Sequence, residues 1–285
     1  LGADVIKFEP LTGDMSRPIG RTYFYSVNFN KRSVSVDTRT DDGKEVVQRI
    51  ASSSDVLLAN LRPHATERMG IGPAINPSLI EIHLTGYGFT GPYAKRPGID
   101  PLAQAYMGMQ RAEGGTENPP VFPAQLAPTD FTTGAVGAIG AVLCLLARSQ
   151  HGIVQRGESN LLNGGILLCS EWFCRYKGQP DRPLADREQL GLNPYHRLFE
   201  LKDGWVYVAA DTPAEQKAFE TMLGLQDVPH LGDTHPNDGP RASAFADAMA
   251  QLAVDEALSA LAGANVPAAP ALAGDSELFL GSSHA

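Results

Sequence analysis

Over the first ninety residues, short apolar runs alternate with amphipathic stretches at a spacing that predicts strand, helix, strand, helix, strand. Val5 to Phe8 reads as a strand, and residues 33–37 alternate as S-V-S-V-D. Residues 43–51 then place Val46, Val47 and Ile50 on one helical face. DVLLA at 55–59 is a short buried run, TERMGIG closes a brief helix on Gly70, and LIEIHL at 79–84 alternates again. Elements of these lengths imply right-handed crossovers and a parallel sheet with helices on its faces.

Further along, residues 132–148 form a long helix rich in Ala and Gly, and a second helical stretch covers roughly 160–176. KGQPDRPLADREQLG is polar, carries two prolines and reads as a linker. Beyond it RLFEL and WVYVAA flank Lys202-Asp203-Gly204 as a hairpin. Helical patterns at 214–223 and 243–262 complete a small α+β region. The expected organisation is a large α/β domain over residues 1–177, a linker at 178–190 and a small α+β domain over 191–285.

The 285 residues suffice for a sizeable core. With 23 Lys and Arg against 32 Asp and Glu, the net charge of -9 argues against a broad footprint for nucleic acid or anionic membrane and leaves room for a local basic pocket. Cys144, Cys169 and Cys174 lie in apolar surroundings without metal-ligand spacing, which fits buried thiols in a reducing compartment better than a disulfide framework and implies a cytoplasmic setting. The longest apolar stretch, residues 135–147, is interrupted by Gly137 and Gly140 and is expected to be too short for a membrane span. No signal peptide is read at the start. The chain opens at Leu1 on a linker and a strand, as though in the middle of something.

Ligands of parallel sheets bind beyond the carboxyl ends of strands. That directs attention to NLRPHATERM after DVLLA and to TGYGFTGPYAKRPGID after LIEIHL, the second rich in Gly and Pro. Lys31, Arg32, Arg39, Arg62 and Arg68 could hold phosphates or be solvated surface charges; only Arg62 and Arg68 follow a strand end. Asp130, in PTDFTTGAVG, reads either as the N-cap of the long helix or as a carboxylate nucleophile. His83 lies in an alternating strand and reads as a sheet-face residue. The other histidines, His64, His151, His196, His230, His235 and His284, show no zinc spacing. Gly134, Gly137 and Gly140 recur every third residue inside a helix, a packing pattern and not a dinucleotide motif. No Walker A sequence and no G-x-S-x-G elbow occurs.

Taken in order, LGADVIKFEP, NFNKRSVSVDTRT, NLRPHATERMGIG, TGYGFTGPYAKRPGIDPLAQA and PTDFTTGAVGAIGAVLCLLAR resemble the family III CoA-transferases, a superfamily that also contains α-methylacyl-CoA racemase. The resemblance covers nearly the whole chain and thins after about Tyr176. It implies an α/β fold with a parallel Rossmann-like sheet, helices on both faces and a small α+β domain, in a chain truncated at both ends relative to the family. It implies further that CoA passes from an acyl-CoA donor to a small carboxylic acid through aspartyl-anhydride and aspartyl-CoA intermediates. No tightly bound cofactor or metal is called for, since CoA and acyl-CoA are substrates, and the expected assembly is an interlocked homodimer.

Position by position, the resemblance makes Asp130 the catalytic residue. It assigns CoA contacts to Val36 through Arg39, to Asn60, Leu61 and Arg62, to Arg68 and Met69, and to Gly98, Ile99 and Asp100. The racemases resembled here carry a histidine where Ile99 stands. Isoleucine cannot ionise, so transferase is favoured over two-base racemisation. Pro10 stands where formyl-CoA transferases have an arginine, and EQLGLNPYHRLF replaces their glycine-rich loop near Gly191, so neither formyl-CoA nor oxalate is assigned. The rival readings are an acyl-CoA racemase-like enzyme and a non-catalytic fragment that binds CoA or packs with a partner chain.

Overall fold

The structure is a computed structural model that describes residues 2–18, 20–122, 127–229, 235–274 and 281. Two compact units divide the chain: Leu1–Met107 with Gln125–Cys174, and Gly108–Ala124 with Arg175–Ala285. His230 and His284 lie outside the described residues.

In the first unit, β1 (Val5–Glu9), α1 (Arg21–Ser26), β2 (Lys31–Ser35), α2 (Asp41–Ser52), β3 (Val56–Ala59), α3 (Ala65–Arg68) and β4 (Ile80–Thr85) follow the predicted alternation. β1 and β2 pair in parallel, and β3, β4 and a further strand β5 (Arg156–Asn160) form a second parallel sheet with β4 in the centre. Before β5 come α4 (Asp100–Met107), α5 (Met109–Glu113), which belongs to the second unit, and α6 (Pro128–His151); α7 (Leu161–Leu168) and α8 (Ser170–Phe173) come after it.

Several local expectations move. The second strand sits two residues earlier than the S-V-S-V-D alternation implied. On α2 the buried positions are Gly43, Val47 and Ala51, spaced i, i+4, i+8, while Val46 faces out. Gly43 is the reason: a Cβ there would meet the Asp37 carbonyl oxygen at 2.0 Å, so this face lies against backbone. DVLLA is not uniformly buried, because β3 is an edge strand and Leu58 is half exposed. The helix expected over 160–176 is broken at Cys169, and residues 156–160, too polar to read as a strand, pair with β4.

β4 organises the unit. Its period of two sends Ile80, Ile82 and Leu84 against α6, where they pack with Ala141, Cys144 and Leu145. Gly137 permits this approach, since a Cβ there would lie 2.5 Å from a Leu84 methyl. The other face carries Glu81, His83 and Thr85, in register with Arg156, Glu158 and Asn160 of β5. At 24 residues α6 is long and apolar enough to cross a membrane by length and composition, which corrects the expectation of too short a stretch. One of its faces is packed on β4; the opposite stripe, Phe131, Ile139, Val142, Leu143 and Leu146, is exposed.

The second unit contains a four-stranded antiparallel sheet of β6 (Gly191–Asn193), β7 (His196–Glu200), β8 (Trp205–Ala209) and β9 (Ala268–Pro270). The predicted hairpin is β7–β8, turning where the Leu201 amide donates to the Gly204 carbonyl. α9 (Pro213–Leu223), α10 (Pro240–Met249) and α11 (Val254–Gly263) pack Phe219, Phe245, Met249 and Leu261 onto Phe199, Val206 and Val208. A Thr212–Glu215 capping box starts α9. The single helical pattern read over 243–262 is two helices, because the chain turns at residues 250–253.

Candidate active site

Asp130 occupies the third position of α6, after Pro128 and Thr129, and is not its N-cap. The N-cap position belongs to Ala127, whose side chain supplies no hydrogen bond. The orphan amides of a helix start need an acceptor, and here it comes from another element. Asp100, at the head of α4 and only 4% exposed, brings Oδ2 to the Thr129 amide at 2.8 Å, the Thr129 hydroxyl at 2.6 Å and the Asp130 amide at 3.2 Å. Its Oδ1 accepts a short hydrogen bond from the Gln104 amide nitrogen, one turn along α4. Asp100 is thus a cap supplied from outside the helix.

The consequence falls on Asp130. Its residue keeps an open side to solvent, yet the carboxylate is hemmed in. Burial first, and then the Asp100 charge, raise it from 3.8 to about 6. Behind it the backbone is held from two sides: the Thr133 hydroxyl donates to the Asn160 carbonyl at 3.1 Å, and Gly164 and Gly165 let α7 lie against the first turns of α6. A Cβ on Gly164 would stand 2.4 Å from the Thr133 hydroxyl.

The loop that delivers Asp100 is closed at its base by two glycines. Gly86 and Gly98 pack so tightly that a Cβ on either would come within about 2.6 Å of the other's Cα. Ile99 is 52% exposed and offers no ionisable group beside the Asp100–Asp130 pair. Gly98, Ile99, Asp100 and Asp130 are therefore brought together, with the Asp100 side chain turned inward to α6.

The other predicted positions leave the carboxyl ends of parallel strands within the same unit. Val36 to Arg39 follow β2, Asn60, Leu61 and Arg62 follow β3, and Arg68 and Met69 end α3. Val36 and Met69 pack against Val47, Ala51, Ile71 and Leu79, so their side chains are committed to the core. Arg39 extends into solvent with a bidentate pair to Asp37 at 2.8 Å, and Asn60, Leu61, Arg62 and Arg68 are exposed. Lys31 bonds the Val27 carbonyl and Asn28, and Arg32 pairs with Asp4. His83 is buried on the sheet face as expected.

Tyr23 is a site residue that pattern reading missed. From α1 its ring meets Phe131 edge-on at 6.2 Å, and burial, followed by the Asp130 and Asp100 charges, pushes its phenol up. A six-residue helix in a loop has no periodicity to reveal it. The usable signal was position alone, since this loop also follows the carboxyl end of a parallel strand. Among the described residues no group of His, Cys, Asp and Glu is arranged to hold a metal ion.

Comparison with known proteins bears on this site. The model of CoA-transferase family III matches residues 1–276. The chain is 33% identical over 249 residues to the β subunit of succinyl-CoA–L-malate CoA-transferase of Chloroflexus aurantiacus, covering 82% of this chain and 60% of that protein. It is 34% identical over 248 residues to human succinyl-CoA:glutarate CoA-transferase, covering 82% of this chain and 55% of the other. The chain thus spans somewhat over half the length of these curated relatives. Its fold is similar to that of a CAIB/BAIF family protein from Brucella suis, with a TM-score of 0.81 at 26% identity over 98% of this chain and 81% of that one.

Proposed function

The chain belongs to CoA-transferase family III, and from that premise we propose that it serves a transferase moving coenzyme A from an acyl-CoA donor to a carboxylic acid acceptor, with Asp130 as nucleophile. The observation that carries this reading is the Asp130 carboxylate itself: in the first turn of α6, open on one side, raised to about 6, and freed from capping duty by Asp100. Such a group is ionised at neutral pH and is not quenched by strong hydrogen bonds.

In the reaction, an Asp130 oxygen attacks the thioester carbonyl. The carbon–sulfur bond breaks, leaving CoA thiolate and an aspartyl–acyl anhydride. The thiolate attacks the Asp130 carbonyl, the donor acid leaves as its carboxylate, and an aspartyl-CoA thioester remains. The acceptor carboxylate opens that thioester to a second anhydride. The thiolate then attacks the acceptor acyl carbon, releasing the new acyl-CoA and restoring Asp130. No step needs a net proton transfer, which suits a site whose neighbours are Asp100, Ile99 and Tyr23, in a unit whose sheet histidine, His83, is buried. The absence of an ionisable group at Ile99 weighs against racemisation.

The same reading places CoA on the first unit, against the loops after β2, β3 and β4, and takes a second copy of the chain as partner. The exposed apolar stripe of α6, from Phe131 to Leu146, supports a covered face. Intact-protein mass spectrometry after mixing with a panel of acyl-CoAs, followed by hydroxylamine, is the direct test. A hydroxylamine-sensitive adduct on Asp130, absent in Asp130→Ala, is expected; CoA binding with no adduct from any donor refutes covalent transfer.

A further inference from the structure

Phe89 sits where no apolar core would place it. It belongs to the loop between β4 and α4, outside the three apolar clusters, and its neighbours are polar. The His83 ring meets it edge-on from the buried sheet face at 5.0 Å and 86°, and His64 meets it at 5.9 Å. The Arg156 guanidinium lies over its face, 4.2 Å from the centroid. The Phe89 amide donates to Glu158 Oε1 at 2.9 Å, and one residue earlier the Gly88 amide donates to the Thr85 hydroxyl at 2.9 Å.

The polar ring is itself braced. His83 Nε2 lies 3.1 Å from Glu81 Oε2, and burial pushes the imidazole down against the opposing pull of Glu81. Arg156 reaches Glu67 at 3.6 Å, and Glu67 pairs with His64 at 2.8 Å. These groups project from β4, from β5, from α3 and from His64 just before it, so Phe89 ties the loop to the sheet and to the segment after β3. Beyond Phe89 the loop returns to Gly98, whose contact with Gly86 fixes its exit, and continues into Ile99 and Asp100. The same loop is therefore fixed to the polar sheet face at Phe89 and, by way of Gly98, ends at the carboxylate that holds the start of α6.

We propose that Phe89, clamped between His83 and Arg156 and bonded through its amide to Glu158, is a positioning residue for transfer: it sets where Gly98, Ile99 and Asp100 stand relative to Asp130. The inference rests on the transferase reading. Phe89 touches no reacting atom; it acts through the loop and Asp100.

The test compares the wild type with Phe89→Ala and Phe89→Tyr in the full chain. Hydrogen–deuterium exchange is read at the amides of residues 86–99 and, as a control, of β7 and β8. Adduct formation on Asp130 is followed with whichever acyl-CoA labels the wild type. Phe89→Ala is expected to speed exchange in the loop with β7 and β8 unchanged. It should slow adduct formation at saturating acyl-CoA about tenfold, with half-saturation moved less than threefold. Phe89→Tyr keeps an aromatic ring between His83 and Arg156 and should restore both readouts. A Phe89→Ala protein with wild-type loop exchange and wild-type rate overturns the clamp, as does a Phe89→Tyr protein as impaired as the alanine variant. A wild type that forms no adduct with any donor refutes the transferase reading instead, so the two failures are distinct.

Discussion

Replacing Asp130 by Asn should make the protein more stable at neutral pH and leave it unchanged in acid. Burial and the Asp100 charge raise this carboxyl from 3.8 to about 6. An acid whose folded pKa exceeds its unfolded value binds more protons folded than unfolded across that window. Stability therefore falls as pH rises from about 4 to about 6 and stays reduced above it. At ~1.4 kcal/mol per pH unit, a rise of this size sets a ceiling of roughly 3 kcal/mol. Because the residue is open to water on one side, screening reduces the expected gain to roughly 1 kcal/mol. Thermal melts followed by circular dichroism should then show Asp130→Asn unfolding about 2–4 °C above wild type at pH 7.5, with the two curves together at about pH 3, below the unfolded value. An equal gain at both pH values would place the effect in packing, and a loss at pH 7.5 would refute the electrostatic account of the site.

Three further outcomes follow from the same geometry. The proposed transfer requires Asp130 to be ionised, so adduct formation in the wild type should fall away as pH drops through about 6; a flat profile between pH 5 and 8 contradicts this. Asp100→Asn removes the charge beside Asp130 while keeping one acceptor for the α6 amides, so the same profile should move to lower pH; an unmoved midpoint would mean that burial alone raises Asp130. On α6, Gly137→Ala drives a methyl into Leu84 and should cost about 1–3 kcal/mol. Gly134→Ala and Gly140→Ala meet nothing within 4 Å and should gain roughly 0.5–1 kcal/mol each in a separated chain. Urea melts distinguish the three, and a loss at Gly134 or Gly140 that grows with protein concentration would locate a second copy on that face.

The parallel alternation was legible in the sequence because β1, α2 and β4 each carry their own period, and the β7–β8 hairpin because Lys202-Asp203-Gly204 is turn chemistry. β5 was not legible: RGESN is polar because three of its residues continue the polar row of β4, a property of the pair and not of the segment. Val46 was misplaced on α2 because hydrophobicity was followed where closeness of approach decided, and closeness selected Gly43, Val47 and Ala51. At the site, Asp130 stood out by its place before a long apolar run. Tyr23 could be found only from the fold, and so could the inward turn of Asp100, whose partners are amides thirty residues away.

That long-range bond explains how an unbonded carboxylate can stand in the first turn of α6. A lone Asp in the first turn of a helix is stabilised as a carboxylate by free amides and the dipole, which lowers its pKa and makes it a weak nucleophile. Here Asp100 has already taken the Thr129 and Asp130 amides. The favourable field of the helix start is answered by a charge that is buried and bonded, and Asp130 is left with its repulsion and its own desolvation. Two carboxylates share one helix start, one bonded and inert, the other unbonded and raised to about 6. If this division of labour holds, Asp100→Ala should frustrate both roles together. The α6 start loses its cap at about 1–2 kcal/mol, and Asp130, free to bond the released amides, should drop in pKa and react more slowly at pH 8, where ionisation no longer limits it. A variant less stable but as reactive as wild type at pH 8 would show that Asp100 holds the helix without tuning its neighbour.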